Sequence, residues 1–404
     1  MKKSLLLLLL LLLTGCGGPT PTPPLPEDVP APPVVDEEVP PAPEEPALPV
    51  EPAEPLPPPD PRAEAVAATL AEMTVEEKVG QLFFVRCPAQ GAAEAVSQYH
   101  LGGILLFGRD FKDGADNWLT EEQLRGTLDS YQAAAEIPLL MGVDEEGGSV
   151  ARASRNPNLF PKKCNAPQTL FARGGMDAIR DDALGKNTRL LELGINVNFA
   201  PVADVSTAPG DFIYDRTLGQ DAQATADYVR TVVEQMNAAG VGAVLKHFPG
   251  YGSNVDTHTG VAVDQRPLEQ FRAADFLPFS AGIQAGAGSV LVSHNVVTAV
   301  DDQLPASLSP AVHQLLREEL GFTGVILTDD LAMDAVEAYA QDGSVAVLAV
   351  LAGNDMVVTT DFQTQIPLVL DAVAEGTIPE ALLDEAVGRV LGWKYDLGLL
   401  EDKS

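Results

Sequence analysis

The chain has 404 residues, of which 58 are acidic and 25 basic, so its formal net charge at pH 7 is -33. This excess of negative charge argues against nucleic acid as a partner and against charge-driven adhesion to anionic lipid. It says little about a neutral substrate, and the length leaves room for one large α/β domain beside terminal segments.

The first sixteen residues predict export. Lys2 and Lys3 precede an unbroken apolar run, Leu5–Leu13, which is too short to span a bilayer and is typical of a signal peptide. Small residues stand before Cys16, as in a bacterial lipobox, so we expect residues 1–15 to be a lipoprotein signal peptide and Cys16 to be lipidated. The mature protein would then be anchored outside the cytoplasm on the cell membrane. An ordinary secretory signal is the alternative.

A Pro- and Glu-rich segment follows at residues 16–61. From Pro19 to Pro61 it contains neither Lys nor Arg. Such a composition cannot bury a core and favours the extended polyproline II conformation. We therefore predict a disordered linker that holds the next domain away from the membrane, with a ligand for a Pro-binding domain as the alternative.

Residues 62–404 alternate apolar, β-branched runs with helix-period segments. The runs are apolar on both faces, as expected of parallel strands covered by helices. Eight of them in one uninterrupted domain favour a single (β/α)8 barrel of the TIM type over an open doubly wound sheet. The predicted strands are Leu82–Arg86, Gly103–Phe107, Leu139–Val143, Ile195–Ala200, Ala243–His247, Ser289–Val292, Gly324–Leu327 and Met356–Thr359. Predicted helices include Ala222–Ala239, Leu268–Ala285, Ser309–Glu319, Phe362–Ala374 and Leu382–Leu397.

Polar side chains cluster where these predicted strands end. Barrel active sites are built at the carboxyl ends of the strands. Charged residues without a function would be distributed over both ends, so the clustering predicts a polar active site. The residues are Asp144, Asp204, Lys246, His247, Ser293, His294, Asp329 and Asp330.

The loop after the fifth predicted strand holds a candidate proton-transfer pair. Asp256 lies two residues before His258, and a carboxylate beside an imidazole orients the ring and suits it to proton transfer near neutral pH. An Asx-turn with a solvated His258 is the alternative reading.

Several classes of chemistry lack their sequence signals. There is no His-Glu-x-x-His, no Cys/His cluster at metal spacing, no Gly-x-Ser-x-Gly, no Walker loop and no dinucleotide fingerprint. We therefore predict no metal and no cofactor. Cys87 and Cys164 could pair outside the cell, but their spacing decides nothing. A pocket rich in Asp, Arg, Lys and His suits a polyhydroxylated substrate, and glycoside hydrolysis needs an acid/base and a carboxylate nucleophile. Asp329 could be a nucleophile, a general base or a metal ligand.

Seven sequence blocks, in the same order, resemble glycoside hydrolase family 3. The similarity is strongest to its NagZ-type β-N-acetylglucosaminidase branch, and it covers nearly everything after residue 62. The blocks are GVDEEGGSVAR (142–152), NFAPVADV (198–205), DRTLGQD (215–221), KHFPGYGSNVDTH (246–258), PASLS (305–309), GVILTDDLAM (324–333) and AGNDM (352–356).

The resemblance implies an exo-β-N-acetylglucosaminidase that acts with retention, here on wall-derived GlcNAc–MurNAc fragments, as a monomer with a carbohydrate substrate. By motif position Asp329 would be the nucleophile and His258 the acid/base, oriented by Asp256. Arg152 matches a position near the sugar, with its role left open. The residues that match sugar-binding positions are Asp144, Arg216, Lys246 and His247.

Some positions depart from the family pattern. Glu145 stands where Gln or His is usual, Ser149 where Arg is usual, Tyr251 for a frequent His and Thr257 for a frequent Ser. The missing Arg at position 149 leaves a β-glucosidase or β-xylosidase as alternatives. A neutral His as acid/base also admits phosphate as the acceptor, and hence a β-GlcNAc phosphorylase. A surface lipoprotein that binds sugar without cleaving it is the alternative from another class.

Four residue readings also have structural alternatives. Arg216 and Asp204 could form an ion pair at the barrel mouth. His294 could be a satisfied core residue, and Asp330 could cap the following helix. Gly147 and Gly148 could serve only a tight turn.

Overall fold

Eight short parallel strands form the central sheet. The computed structural model describes residues 60–253, 262–333, 336, 339 and 345–400, and every predicted strand is present within them. The strands are β1 (Phe83–Arg86), β2 (Gly103–Leu106), β3 (Leu140–Val143), β4 (Val197–Asn198), β5 (Gly242–Phe248), β6 (Ser289–Val292), β7 (Val325–Thr328) and β8 (Val357–Thr359).

The strands close into a barrel. They pair in the order β8-β1-β2-β3-β4-β5-β6-β7. A parallel bridge between Leu327 and Met356 then joins the two ends of that order. The predicted (β/α)8 barrel is confirmed over the open sheet, and all the strands' carboxyl ends therefore lie on one face.

Helices alternate with the strands along the chain. Two predicted helices, Ala222–Ala239 and Phe362–Ala374, have the predicted bounds. The predicted helix Leu268–Ala285 contains a π-helical turn at Phe271–Asp275 instead, and Pro278 just beyond it has no N–H to continue a regular ladder. The helices are α1 (Pro61–Glu72), α2 (Val75–Gln81), α3 (Ala92–Tyr99), α4 (Glu121–Ala134), α5 (Pro167–Glu192), α6 (Ala222–Ala239), α7 (Leu268–Gln270), α8 (Phe276–Gln284), α9 (Pro310–Gln314), α10 (Val345–Ala352), α11 (Phe362–Ala374) and α12 (Glu380–Asp396).

Strand β4 is much shorter than predicted, and a side-chain amide adds to its contacts with β3. Asn196 Oδ1 accepts from the Met141 N–H at 2.7 Å, and its Nδ2 donates to the Leu139 carbonyl at 3.1 Å. Beyond the strand, Pro201 has no N–H to donate. Backbone bonds from the Asn196 N–H to the Met141 carbonyl at 3.1 Å and from the Phe199 N–H to the Val143 carbonyl at 2.9 Å continue the contact on both sides. The side-chain contacts cannot be predicted from local hydrophobicity.

The core has an inner and an outer apolar layer. Side chains inside the barrel come from alternate strand residues, and those between them pack outward with helix residues such as Val96. The inner layer leaves no room at Gly142 of β3, where a Cβ atom would lie 2.7 Å from the Phe84 ring and 2.8 Å from the Phe199 ring. The inner-layer residues include Phe84, Leu105, Leu140, Val197, Val244, Leu291, Val325 and Val358.

Lys394 of α12 is a buried amine that opposes folding. Its side chain is fully buried, and Nζ donates to Gln81 Oε1 at 2.6 Å. Burial alone lowers the pKa of Lys394 from 10.5 to about 7. Between pH 7 and 10.5 the unfolded chain therefore holds a proton that the folded chain lacks, so the stability rises with pH across that window.

Replacing Lys394 with Met is expected to stabilise the protein. Lys394→Met keeps the volume but removes the amine that must lose its proton on burial, so the melting temperature at pH 7 should rise by several degrees. Thermal unfolding followed from pH 7 to 10 should show a rising stability in the wild type and a flatter profile in the variant. A lower melting temperature in the variant, at every pH, would show that the bond to Gln81 outweighs the cost of burial.

Some predicted features lie outside the described residues. They include residues 1–15, Cys16, and the linker up to residue 59, as well as Asp256 and His258. Among the helices of the described part, none has the length and apolar character needed to cross a bilayer. Cys87 and Cys164 are both free thiols, which answers the question that their spacing left open.

Candidate active site

A cavity of about 300 Å³ lies at the carboxyl ends of the strands. It receives a residue from the end of almost every strand, as the barrel predicts. Six predicted site residues line it together. They are Asp144, Arg152, Arg216, Lys246, His247 and Asp329. Of the other polar residues predicted at the strand ends, Asp330 lines it, whereas Asp204, Ser293 and His294 do not.

Lys246, at the end of β5, is held between two carboxylates. Its Nζ lies 2.7 Å from Oδ1 of Asp144 and 2.6 Å from Oε1 of Glu146. Burial disfavours the ammonium, but the charges of Asp144 and Glu146 outweigh this effect and raise the pKa of Lys246. The amine therefore stays charged and donates hydrogen bonds at a fixed position.

Glu146 is the residue that the sequence analysis missed and on which this network depends. It also accepts two hydrogen bonds from Arg216, from Nε at 3.0 Å and from Nη2 at 2.7 Å. Burial opposes its ionisation, but the charges of Arg216 and Lys246 prevail and hold the pKa of Glu146 well below its usual range. Its position two residues after Asp144, in the same loop, was the available signal.

His247 is oriented by Asp204 and by Arg216. The Nδ1 atom lies 2.8 Å from Oδ2 of Asp204, while Nε2 lies 3.2 Å from Nη2 of Arg216. Since guanidinium can only donate, Nε2 must accept and Nδ1 must carry the proton. Both ring nitrogens are thus engaged by protein groups. Asp204 and Arg216 each have another partner, so the suggested direct ion pair between them is replaced by this relay through His247.

Asp329 follows β7 at the wall of the cavity. Its backbone N–H donates to the Val292 carbonyl at 2.9 Å, and its Oδ1 accepts from the Asp330 N–H at 2.9 Å. Asp330 accepts from the Ala332 N–H at 3.0 Å, which is the predicted cap on the following turn. Burial, and then the charge of Asp329, raise the pKa of Asp330. The two neighbouring carboxyl groups thus have different surroundings.

Glu145 braces the loop that carries Asp144. It is fully buried, and its Oε2 accepts from the N–H groups of Arg152 at 2.9 Å and Ser154 at 3.1 Å. It does not line the cavity. Its departure from the family pattern therefore concerns how the loop is held, and the contact fixes the backbone of Arg152 beside the site.

Two other readings resolve in favour of structural roles. Gly147 and Gly148 have φ angles of 101° and 64°, and a Cβ on Gly147 would lie 2.1 Å from the Asn165 carbonyl oxygen. They therefore serve a tight turn against the next loop. His294 is fully buried, with Nδ1 2.7 Å from Ser307 Oγ and Nε2 3.0 Å from the Asp330 carbonyl. It is a satisfied core residue.

Arg266 connects the chain before and after residues 254–261, which include Asp256 and His258. Its Nη2 donates to the Gly250 carbonyl at 3.2 Å, and its Nη1 donates to Asp275 Oδ2 at 2.8 Å. Burial raises the pKa of Asp275 to about 6, against the opposing charge of Arg266. The described residues on both sides of that segment are thereby tied to one guanidinium.

Comparisons with known proteins show the family to which this barrel belongs. Residues 74–392 match the profile of the glycosyl hydrolase family 3 N-terminal domain. The chain belongs to glycoside hydrolase family 3. This confirms the family predicted from the sequence blocks, and with it the assignment of the protein as a glycoside hydrolase.

Three relatives of this family 3 chain are informative. A "Beta-hexosaminidase" of Xanthomonas campestris pv. campestris (strain B100) is 34% identical over 306 residues, which are 75% of this chain and 89% of the relative. "Beta-hexosaminidase LpqI" of Mycobacterium tuberculosis (strain ATCC 25618 / H37Rv) is 34% identical over 351 residues, 83% of this chain and 86% of the relative. The solved structure of a family 3 β-N-acetylglucosaminidase from Paenibacillus sp. str. FPU-7 is 31% identical, with a TM-score of 0.74. That match covers 81% of this chain but only 63% of the longer Paenibacillus chain.

Proposed function

We propose that this family 3 glycoside hydrolase is a retaining exo-β-N-acetylglucosaminidase that removes terminal β-linked GlcNAc from peptidoglycan fragments such as GlcNAc–MurNAc. One observation carries the proposal: Asp329 shares a cavity of about 300 Å³ with the acidic and basic side chains suited to hold a sugar. The names of the two curated relatives and of the Paenibacillus structure support the choice of sugar.

Asp329 is proposed as the nucleophile and His258 as the acid/base. Asp329 attacks the anomeric carbon, the glycosidic bond breaks, and the leaving oxygen takes a proton from His258. The neutral ring then takes a proton from water, which attacks the glycosyl ester and restores the original configuration. His247 is poorly suited to this role because both of its ring nitrogens are engaged within the described part of the site.

The charged residues around Lys246 are proposed to hold the sugar. Lys246 and Arg216 present donors that are permanently charged, and Asp144 presents carboxylate oxygens to hydroxyl groups. Since these charges already neutralise one another through Glu146, they need no rearrangement when a neutral sugar binds. Such fixed dipoles favour the charge that develops in the transition state.

A panel of chromogenic glycosides tests the substrate. The aryl β-GlcNAc should be hydrolysed with a higher kcat/KM than the aryl β-glucoside and β-xyloside, between pH 4 and 9. Absence of turnover of the β-GlcNAc at every pH would overturn the proposal. Repeating the assay with phosphate distinguishes hydrolysis from phosphorolysis, because only the latter yields a sugar 1-phosphate.

Replacing His258 is expected to slow substrates according to their leaving groups. His258→Ala should slow a natural disaccharide about a hundredfold, and an aryl glycoside with a good leaving group much less, because the latter needs little acid assistance. Values of kcat for both substrates measure this. Asp330→Asn is the matched comparison. If Asp330→Asn showed the leaving-group dependence and His258→Ala did not, the acid would be Asp330.

We also propose that Cys16 carries a lipid that anchors the enzyme outside the cytoplasm. The sequence before Cys16 supports this, and the acidic Pro-rich segment would serve as a spacer. Expression in a bacterial host with a labelled fatty acid should label the wild type. A Cys16→Ala variant should carry no label, and incorporation of label into that variant would contradict the assignment.

A further inference from the structure

Two arginines of the cavity have no carboxylate partner among the residues that the structure describes. Arg86 ends β1, Arg152 lies in the loop after β3, and both line the cavity. Within the part of the chain that the structure describes, no carboxylate oxygen lies within 4.0 Å of either guanidinium. Arg216, in the same cavity, is instead paired with Glu146 at 2.7 Å. The cavity therefore has one side where the cationic charge of Arg216 is neutralised, and another where Arg86 and Arg152 have no carboxylate beside them in the described part of the chain.

The ring of Phe107 holds both guanidinium groups. The Cζ atom of Arg86 lies 4.1 Å from the ring centroid, and that of Arg152 lies 5.6 Å from it. The Nε atoms of both arginines are buried, and no described residue forms a hydrogen bond with either of them. A buried N–H without an acceptor costs free energy unless a bound group or a water accepts from it. Stacking on Phe107 leaves the N–H edges of the guanidinium available to such a group.

The composition of the chain makes this pair unusual. With 58 acidic residues against 25 basic ones, an arginine has many potential partners, yet these two pair with none of those in the described part of the chain. Burial raises the pKa of Asp330, and the charge of Arg86 opposes this effect although the two groups form no ion pair among the described residues. An anion entering the cavity would therefore be attracted at this side, although the whole chain repels it at long range.

We propose that Arg86, together with Arg152 and Phe107, binds a carboxylate group of the substrate. A planar guanidinium matches a carboxylate in two parallel hydrogen bonds, which gives both affinity and orientation. The inference rests on the proposed function and narrows it to acidic substrates. The carboxylate belongs either to the leaving group, as in the lactyl ether of MurNAc, or to the sugar that is released.

A matched pair of disaccharides tests the first source. GlcNAc–MurNAc and chitobiose differ at the leaving sugar only in the lactyl ether. The wild type should show a kcat/KM for GlcNAc–MurNAc about tenfold above that for chitobiose. Arg86→Gln should lower the ratio of the two kcat/KM values about tenfold, to near one, and Arg86→Lys should restore part of that ratio.

A control variant and a second pair of substrates separate the possible outcomes of this test. Arg180→Gln, at a surface pair with Asp177, is the control and should change neither value. A preference for an aryl β-glucuronide over the aryl β-glucoside, lost in Arg86→Gln, would assign the carboxylate to the released sugar. Equal slowing of acidic and neutral substrates in Arg86→Gln, or an unchanged preference, would overturn the inference and leave the proposed function intact. If the wild type hydrolysed no β-GlcNAc at all, the proposed function itself would be overturned, and this inference with it.

A measurement on the wild type covers the case in which the variant does not fold. N-acetylmuramic acid and its methyl ester should be compared as inhibitors of aryl β-GlcNAc hydrolysis. The acid should inhibit about tenfold more strongly at low salt, and the difference should shrink as the ionic strength rises. Equal inhibition by acid and ester would overturn the inference.

Discussion

Asp329→Asn is expected to lower kcat by about a thousandfold or more while leaving the fold unchanged. The amide cannot attack an anomeric carbon or carry the negative charge that the transition state requires. Its carbonyl oxygen can still accept from the Asp330 N–H, so the local contact that the structure shows is kept. Turnover of the aryl β-GlcNAc and the melting temperature, measured on the same sample, check the two halves of this prediction.

Asp330→Asn is the matched control for Asp329→Asn. Both carboxyl groups line the cavity, and both substitutions remove one negative charge. Because Asp330 caps the turn at Ala332, its replacement should cost less than about tenfold in kcat.

A second test of Asp329 looks for the covalent intermediate. In a His258→Ala background the slow second step should let the glycosyl ester accumulate on the peptide that contains Asp329. Label on another peptide would remove Asp329 from the role of nucleophile.

The second large effect concerns stability. Glu146→Gln is expected to lower the free energy of unfolding by about 3 kcal/mol, because it leaves Arg216 buried without its counter-ion. Lys246 keeps Asp144 as a partner, so the loss falls mainly on the Arg216 side. Urea denaturation at pH 7 measures the change. The surface variant Asp177→Asn, which removes an exposed partner of Arg180, should differ from the wild type by less than about 0.5 kcal/mol.

The pH dependence of this loss has a definite sign. The pKa of Glu146 is lower in the folded than in the unfolded chain. Its contribution to stability is therefore fully present above the ordinary glutamate pKa and is lost as the pH falls below it. The difference between wild type and Glu146→Gln should shrink as the pH is lowered from 5 towards 3. A difference that stayed constant over that range would mean that Glu146 acts through packing and not through charge.

The sequence predicted the barrel because its strands carry a local signal. Runs such as Val325–Thr328 are apolar on both faces, and for most of them a polar residue marks the carboxyl end of the strand. The same rule applies to Arg86 at the end of β1, yet the sequence analysis passed over it, because no family block covered that position. Applied to every strand, the rule that polar residues at the carboxyl ends line the active site would have predicted Arg86 as well.

Other features could not be predicted because they depend on contacts between distant parts of the chain. Glu146 and Arg216 are separated by 70 residues, and nothing local to either shows that they meet. The side chain of Asn196, beside the short strand β4, also bonds to a different strand. Arg266 likewise derives its role from Gly250 and Asp275, on opposite sides of it in the sequence.

The interlocked charges have a consequence for attempts to redesign this enzyme. Glu146 lies in the loop after β3, Arg216 in the loop after β4 and His247 in strand β5, and Arg216 contacts both of the others. A graft that replaced one of these segments and removed its partner residue would leave Arg216 without a counter-ion or a neighbour, so these segments should be exchanged as a set. The wall formed by Arg86 and Phe107 has no such dependence, which makes it the place where libraries aimed at new specificities should begin.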